Sequence, residues 1–172
     1  MKEVEFVHLR MHSEYSISDS IVKIPKVIDK AYTDGQSALG ITDLGNTFAF
    51  LKFYRSARKK GIKPILGVDM WIKSNDPNDN ACRVLFLCKT TSGYKKLCRL
   101  ISRAWLSNTL KSRSELKFEW LIEVDTLLGG KMSDDLICLS GGIFGEIGQK
   151  ILRGAPGFEN QVNSLVSKYK KT

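Results

Sequence analysis

The apolar residues of the first seventy or so positions switch period repeatedly, and that alternation narrows the fold more than any other feature. Ile24, Val27, Ile28, Ala31 and Tyr32 recur at helical spacing, which makes one apolar stripe on an amphipathic helix. Pro25 suits the first turn of that helix, and Gly35 stands where its last turn should stop. Ala38 to Thr42 is then a short continuous apolar run ending at Asp43, the pattern of a buried parallel strand. A second helix is expected over Thr47 to Lys60, closed by Gly61, and the next strand over Lys63 to Ile72. Such alternation argues for β/α units and a parallel sheet or barrel.

The same reading carries through the rest of the chain. Ser74 to Asn80 is made of turn formers and predicts a surface loop. Arg83 to Cys88 predicts a strand, and Tyr94, Leu97, Cys98, Ile101, Ala104 and Trp105 give the clearest helical stripe of the sequence. Asn108 to Ser114 is polar and reads as a mobile connection. Phe118, Trp120, Leu121 and Ile122 suggest a short helix packed by aromatics, and Leu136 to Leu139 a strand leading into Ser140-Gly141-Gly142. Two final helices are expected over Ile147 to Leu152 and Phe158 to Tyr169, with Gly154-Ala155-Pro156-Gly157 between them. There is no internal repeat and no low-complexity segment.

The stretch from Phe6 to Ser20 carries the polar chemistry. Val4, Phe6, Val7 and Leu9 read as a short strand, which empties into a polar loop holding both histidines of the chain, His8 and His12, with Asp19 and four serines. Loops of this composition at strand ends are where α/β proteins put ligands, because the carboxyl ends of parallel strands converge on one face.

Composition limits the alternatives. At 172 residues with 42% apolar content the chain can bury a real core. No apolar run is long enough to span a membrane, and MKEVEFVHLR has acidic residues and no apolar core, so no signal peptide is expected. Cys82, Cys88, Cys98 and Cys138 show no metal-type spacing, and Cys88 and Cys98 sit among apolar neighbours; a reduced, cytoplasmic location is expected. The net charge of +9 would attract phosphates of any sequence. Yet Arg55, Arg58, Lys59, Lys60, Lys95, Lys96, Arg99 and Arg103 fall on polar helix faces, and Lys168, Lys170 and Lys171 at the end. Solvated helix faces are the simpler account.

The run HLRMHSEYSISD resembles the first motif of the PHP (polymerase and histidinol phosphatase) family, in the form found at the N-terminus of bacterial DNA polymerase III alpha subunits. Further matches follow in order: Ala38 to Asp43, Leu51 to Tyr54, Gly61 to Asp69, Ser92-Gly93-Tyr94 and Leu139 to Gly142. The resemblance covers roughly Phe6 to Arg153. It implies an α/β fold, an incomplete and distorted TIM-like β/α barrel of the PHP type. It also implies that 1–172 form one domain, the N-terminal portion of a PHP domain whose further β/α units, and the palm, fingers and thumb of the polymerase, lie outside this sequence. A barrel short of strands would have an open edge.

Active members of the family hold two or three divalent metals on His, Asp, Glu and Cys at the strand ends. Such a cluster lowers the pKa of bound water, orients a phosphate and neutralises developing charge, and it works only with enough donors. Matched position by position, the family's HxH stands here as Arg10-Met11-His12, and its next acid as Asp19. ITDH stands as Ile41-Thr42-Asp43-Leu44, the acid after the third strand is Asp69, a later histidine corresponds to Arg83, and the cysteine after LSG is Gly142. The resemblance thus leaves His12, Asp19 and Asp69 as vestigial donors, with ligands lost at Leu44, Arg83 and Gly142. A guanidinium stays protonated and cannot bind a cation, so Arg10 is expected to pair with Asp19, Asp43 or Asp69 in place of an ion. A hydrogen-bonded loop role is the simpler reading of His12, and core or packing that of His8.

Other chemistry is thin. Ser13, Ser16 and Ser18 lie near His12 without a triad order. Gly40 to Gly45 is not a phosphate-cradling loop, and Lys52-Phe53-Tyr54 reads as a helix face before a nucleic-acid platform. The resemblance therefore implies a catalytically silent scaffold in DNA replication that docks the proofreading exonuclease subunit within the polymerase III holoenzyme. DNA would be reached through the parent chain, there is no membrane partner, and no cofactor is expected in this segment. Mg²⁺ would serve the parent nucleotidyltransferase, and divalent metals would enter only if the PHP site were active. The alternatives are a residual metal-dependent phosphoesterase or exonuclease, and a basic nucleic-acid-binding module.

Overall fold

Pro25 sits in the first turn of helix α1 (Ile24–Thr33), whose stripe buries Ile24, Ile28 and Ala31. Tyr32, the outermost member of the stripe, is exposed instead and carries the Lys60 ammonium over its ring. The computed structural model describes residues 6–73, 80–110, 113–154 and 157–170, and the chain divides into two units, residues 1–68 and 69–172.

In the first unit, a 3-10 turn (Glu14–Asp19) precedes α1, which is followed by strand β1 (Ala38–Ile41), helix α2 (Phe50–Lys59) and the first part of β2 (Lys63–Ile72). β1 runs parallel to β2, with Ala38 opposite Lys63 and Ile41 opposite Leu66. Their shared core gathers Ile28, Leu39, Ile41, Phe50, Phe53 and Ala57. Gly61 ends the helix with φ +76°, a left-handed turn that glycine adopts without a Cβ penalty. Helix α2 begins at Phe50 and not at Thr47, because Asn46 Oδ1 accepts from the Phe48 amide and draws those residues into a turn.

The strand expected over Val4 to Leu9 is corrected. Val4 lies outside the described residues, and residues 6–10 form no strand. They run instead as an irregular segment beside β1. The His8 carbonyl accepts from Gly40 N at 2.7 Å and the Met11 carbonyl from Thr42 N at 2.8 Å. Gly40 permits this approach, since a Cβ there would lie 2.7 Å from the Leu9 carbonyl oxygen. Phe6 and Leu9 are exposed, so the alternation marks no buried face. His8 is likewise exposed and not in the core; it meets Phe6 edge-on with centroids 4.6 Å apart.

The second unit contains the remainder of β2, then β3 (Cys82–Cys88), α3 (Thr91–Ser107), β4 (Thr109–Leu110), β5 (Arg113–Leu116), α4 (Phe118–Leu128), α5 (Met132–Asp135) and β6 (Leu136–Leu139). A 3-10 turn (Gly142–Phe144), α6 (Glu146–Arg153) and α7 (Phe158–Lys170) follow. The strand order is β4-β5-β2-β3-β6. β5 is parallel to β2, while β4 pairs antiparallel with β5 and β6 antiparallel with β3. The α/β class is as expected, and the sheet is mixed: β1 and β5 run parallel to β2, while the edge strands β4 and β6 are antiparallel to their neighbours.

Asn108 to Ser114 is not a simple polar connection. Thr109 pairs with Ser114 and Leu110 with Arg113 in a small hairpin, clamped by Asn108 Nδ2 on the Glu115 carbonyl at 2.9 Å; residues 111–112 lie outside the described set. So do residues 74–79 of the expected loop and 155–156 of the Gly-Ala-Pro-Gly link.

A buried ammonium joins three helices of this unit. Lys96, on α3 and 0% exposed, meets Asp125 Oδ1 at 2.7 Å and Asp135 Oδ2 at 3.0 Å. Asp125 Oδ2 also accepts from Met132 N at 2.7 Å. Burial favours the neutral amine, but the two carboxylates outweigh it and hold the Lys96 pKa above its ordinary value.

Candidate functional site

In the first unit the 3-10 turn is built around Asp43, which follows β1 and is fully buried. Its Oδ1 accepts from Ser13 N at 2.5 Å and Ser16 Oγ at 2.8 Å, and its Oδ2 accepts from Ser13 Oγ at 2.8 Å. Ser16 Oγ in turn accepts from Leu44 N at 3.0 Å. Three donors converge on one carboxylate, which is how a buried charge is held without a metal or a cation. Ser13 and Ser16 therefore have a role that no triad search could reveal: they are the partners of Asp43. The signal available was their position beside the motif.

His12 Nδ1 is bonded to Asp19 Oδ2, with the histidine largely covered and the aspartate exposed. Between Ser16 and Asp19 the chain passes through Ile17 at φ +57° and ψ −98°, with the side chain 81% exposed. A β-branched residue rarely adopts that conformation, so the hydrogen bonds on either side enforce it. Arg10 projects from the segment beside β1 and is exposed, and Leu44 is half-buried.

In the second unit, Asp69 and Trp71 alternate on β2 with the buried Met70 and Ile72. Asp69, 1% exposed, is gripped by Arg83 of β3: Nε donates to Oδ1 at 2.8 Å and a terminal nitrogen to Oδ2 at 2.9 Å. The Arg83 guanidinium lies 4.8 Å from the Trp71 ring centre, and that of Arg113, from β5, lies 4.4 Å from it. Arg113 pairs with the buried carboxylate of Glu115. The indole is thus flanked by two guanidiniums, each neutralised by an acid, an arrangement that cation–π attraction favours. Gly141, at φ +73°, packs on Arg83; a Cβ there would lie 2.3 Å from the Arg83 carbonyl oxygen. Gly142 has no donor to offer.

These residues do not fit a divalent metal. Asp69 presents both oxygens to a guanidinium that cannot deprotonate, and both oxygens of Asp43 are taken by hydroxyl and amide donors. Among the described residues no three His, Cys, Asp or Glu side chains are grouped to hold an ion. Burial, and then neighbouring Cys98, push the Cys88 thiol up to about 12, so it offers no thiolate.

The PHP domain family model matches residues 8–172. The chain belongs to the PHP family. Among relatives of this PHP chain, the DNA polymerase III subunit alpha of Vibrio cholerae serotype O1 is 35% identical over 154 residues, and that of Neisseria meningitidis serogroup A is 39% identical over 155. The corresponding protein of Escherichia coli K12 is 36% identical over 154 residues. Each match covers 90% of this chain and 13% of the relative, so the PHP chain spans about an eighth of the relatives' length. An amidohydrolase from Chromobacterium violaceum superposes with a TM-score of 0.46 at 20% identity, over 57% of this chain and 32% of that one.

Proposed function

We propose that this chain serves in DNA replication as the PHP portion of a DNA polymerase III alpha subunit, and that it is a scaffold without catalysis of its own. In this reading residues 1–172 are the N-terminal portion of a PHP domain, working in the cytoplasm within the polymerase III holoenzyme and docking the proofreading exonuclease subunit. Nucleotidyl transfer with Mg²⁺ belongs to other parts of such a polymerase, which also make its DNA contacts. His12, Asp19 and Asp69 are relics of metal ligands, Arg10 stands where a further donor was lost, Asp43 is held by Ser13 and Ser16 in place of an ion, and Leu44, Arg83 and Gly142 mark other positions where donors were lost.

The observation that carries the reading is the bidentate pair of Arg83 with Asp69, 2.8 and 2.9 Å long and nearly sealed from solvent. A fixed positive charge sits on the acid that a metal would need, and a guanidinium fork fitted to a carboxylate neutralises it without activating water. The experiment is co-purification of the chain with the exonuclease subunit of its own polymerase, beside a phosphodiesterase assay in Zn²⁺ and Mn²⁺. Stable association with no metal-dependent turnover is expected. Turnover that chelators abolish, or absence of any complex, would contradict the reading.

A further inference from the structure

Helices α3 and α4 leave between them a groove that the motif region does not account for. It encloses about 420 Å³, within the usual range of ligand and side-chain pockets. Its aliphatic lining includes Leu106, 87% exposed, and Leu127, 64% exposed, which is costly surface to leave in water unless something covers it.

The charges around this floor are lopsided. Glu123 is the acid among the lining residues, and it is spent on Arg103, whose guanidinium also stacks 4.4 Å from the Trp120 ring centre. Arg99, one turn before Arg103 on α3, is exposed and has no ion-pair partner among the described residues. Lys95 continues the same basic side of the helix at four-residue spacing. The groove thus offers an apolar floor beside a cation that has no ion-pair partner among the described residues.

We infer that it docks a protein segment that is apolar on one side and acidic on the other. The segment's carboxylate meets Arg99, and its aliphatic or aromatic side chains cover Leu106 and Leu127, as amphipathic helices seat in grooves. A nucleic acid suits the groove less well. Trp120 is only 5% exposed, with Arg103 and Lys117 both over its ring, so no base can stack on it. Phosphodiesters also gain nothing from covering two leucines. This deepens the scaffold reading and rests on it only for the existence of a protein partner.

The test is a random peptide library displayed on phage, selected against the full 172-residue chain and counter-selected against its Leu127→Asp variant. Enriched peptides are expected to pair Asp or Glu with Leu, Phe or Trp, and to lose at least about tenfold in affinity on Leu127→Asp. Leu106→Asp should give the same loss, and Arg99→Glu should turn the preference toward basic peptides. Both leucines are exposed, so near-UV circular dichroism should stay native. No enrichment, or peptides indifferent to both leucine variants, would overturn the inference. So would oligothymidylate binding that Arg99→Glu abolishes and Leu127→Asp leaves intact. Failure here with the exonuclease complex intact would remove the groove and keep the scaffold; loss of the complex alone would do the reverse.

Discussion

Arg83 and Asp69 meet fork to carboxylate on adjacent strands, with the aspartate 1% exposed and both of its oxygens occupied. A buried pair of this kind contributes little over an apolar replacement, but removing one partner strands the other charge, at a cost of about 3–5 kcal/mol. Arg83→Met should therefore destabilise by that amount in urea denaturation, and Asp69→Asn with Arg83→Met should regain most of it. A single variant of wild-type stability would show that the pair does not hold the aspartate.

Thr90 and Lys96 both bear on the acid behaviour of Asp135 in the second unit. The Asp135 carboxyl is held below its ordinary value by the Thr90 hydroxyl first and by Lys96 second. A depressed folded pKa means that the unfolded chain binds the proton more readily. The stability is present above the ordinary aspartate pKa and is lost as pH falls through the folded one. Thr90→Val and Lys96→Met should each flatten the fall in urea midpoint below about pH 4. An unchanged acid slope in both variants would contradict the assignment.

Gly40 admits the segment carrying His8 to Met11 against β1. In Gly40→Ala the new Cβ meets the Leu9 carbonyl at 2.7 Å, so the segment should lift away. The amides of Gly40 and Thr42, which donate to His8 and Met11, should lose protection in hydrogen exchange while α3 keeps its own. Retained protection at both amides would show that the backbone can yield there.

Much of the fold was legible. The stripes of α1 and α3 and the run that became β2 are dictated by local periodicity and by glycine stops. The segment at residues 6–11 was not, because its apolar residues alternate without burying a face; it is held by two backbone bonds to β1. The hairpin of β4 and β5 carries no apolar alternation, and its pairing rests on Asn108 and Glu115. At the site, motif order marked Asp69 and Arg83 as separate positions. Their union depends on β2 and β3 being neighbours across a loop, a tertiary fact that spacing does not encode. Asp43 stood out as an acid, while its serine partners looked like loop polarity.

In the proposed reading, Arg10→His would restore one donor of the family motif and leave Leu44, Arg83 and Gly142 as they are. Phosphoesterase turnover in Zn²⁺ or Mn²⁺ should stay at background, because ligand count governs both affinity and geometry. Metal-dependent turnover from this one substitution would refute the account of a lost centre.

The most direct test is elemental analysis of the wild-type chain purified without chelators and equilibrated with Zn, Mn and Fe. With Arg83 on Asp69 and serines on Asp43, the protein should retain well under one ion per chain after desalting. Two or more ions held per chain would contradict the account.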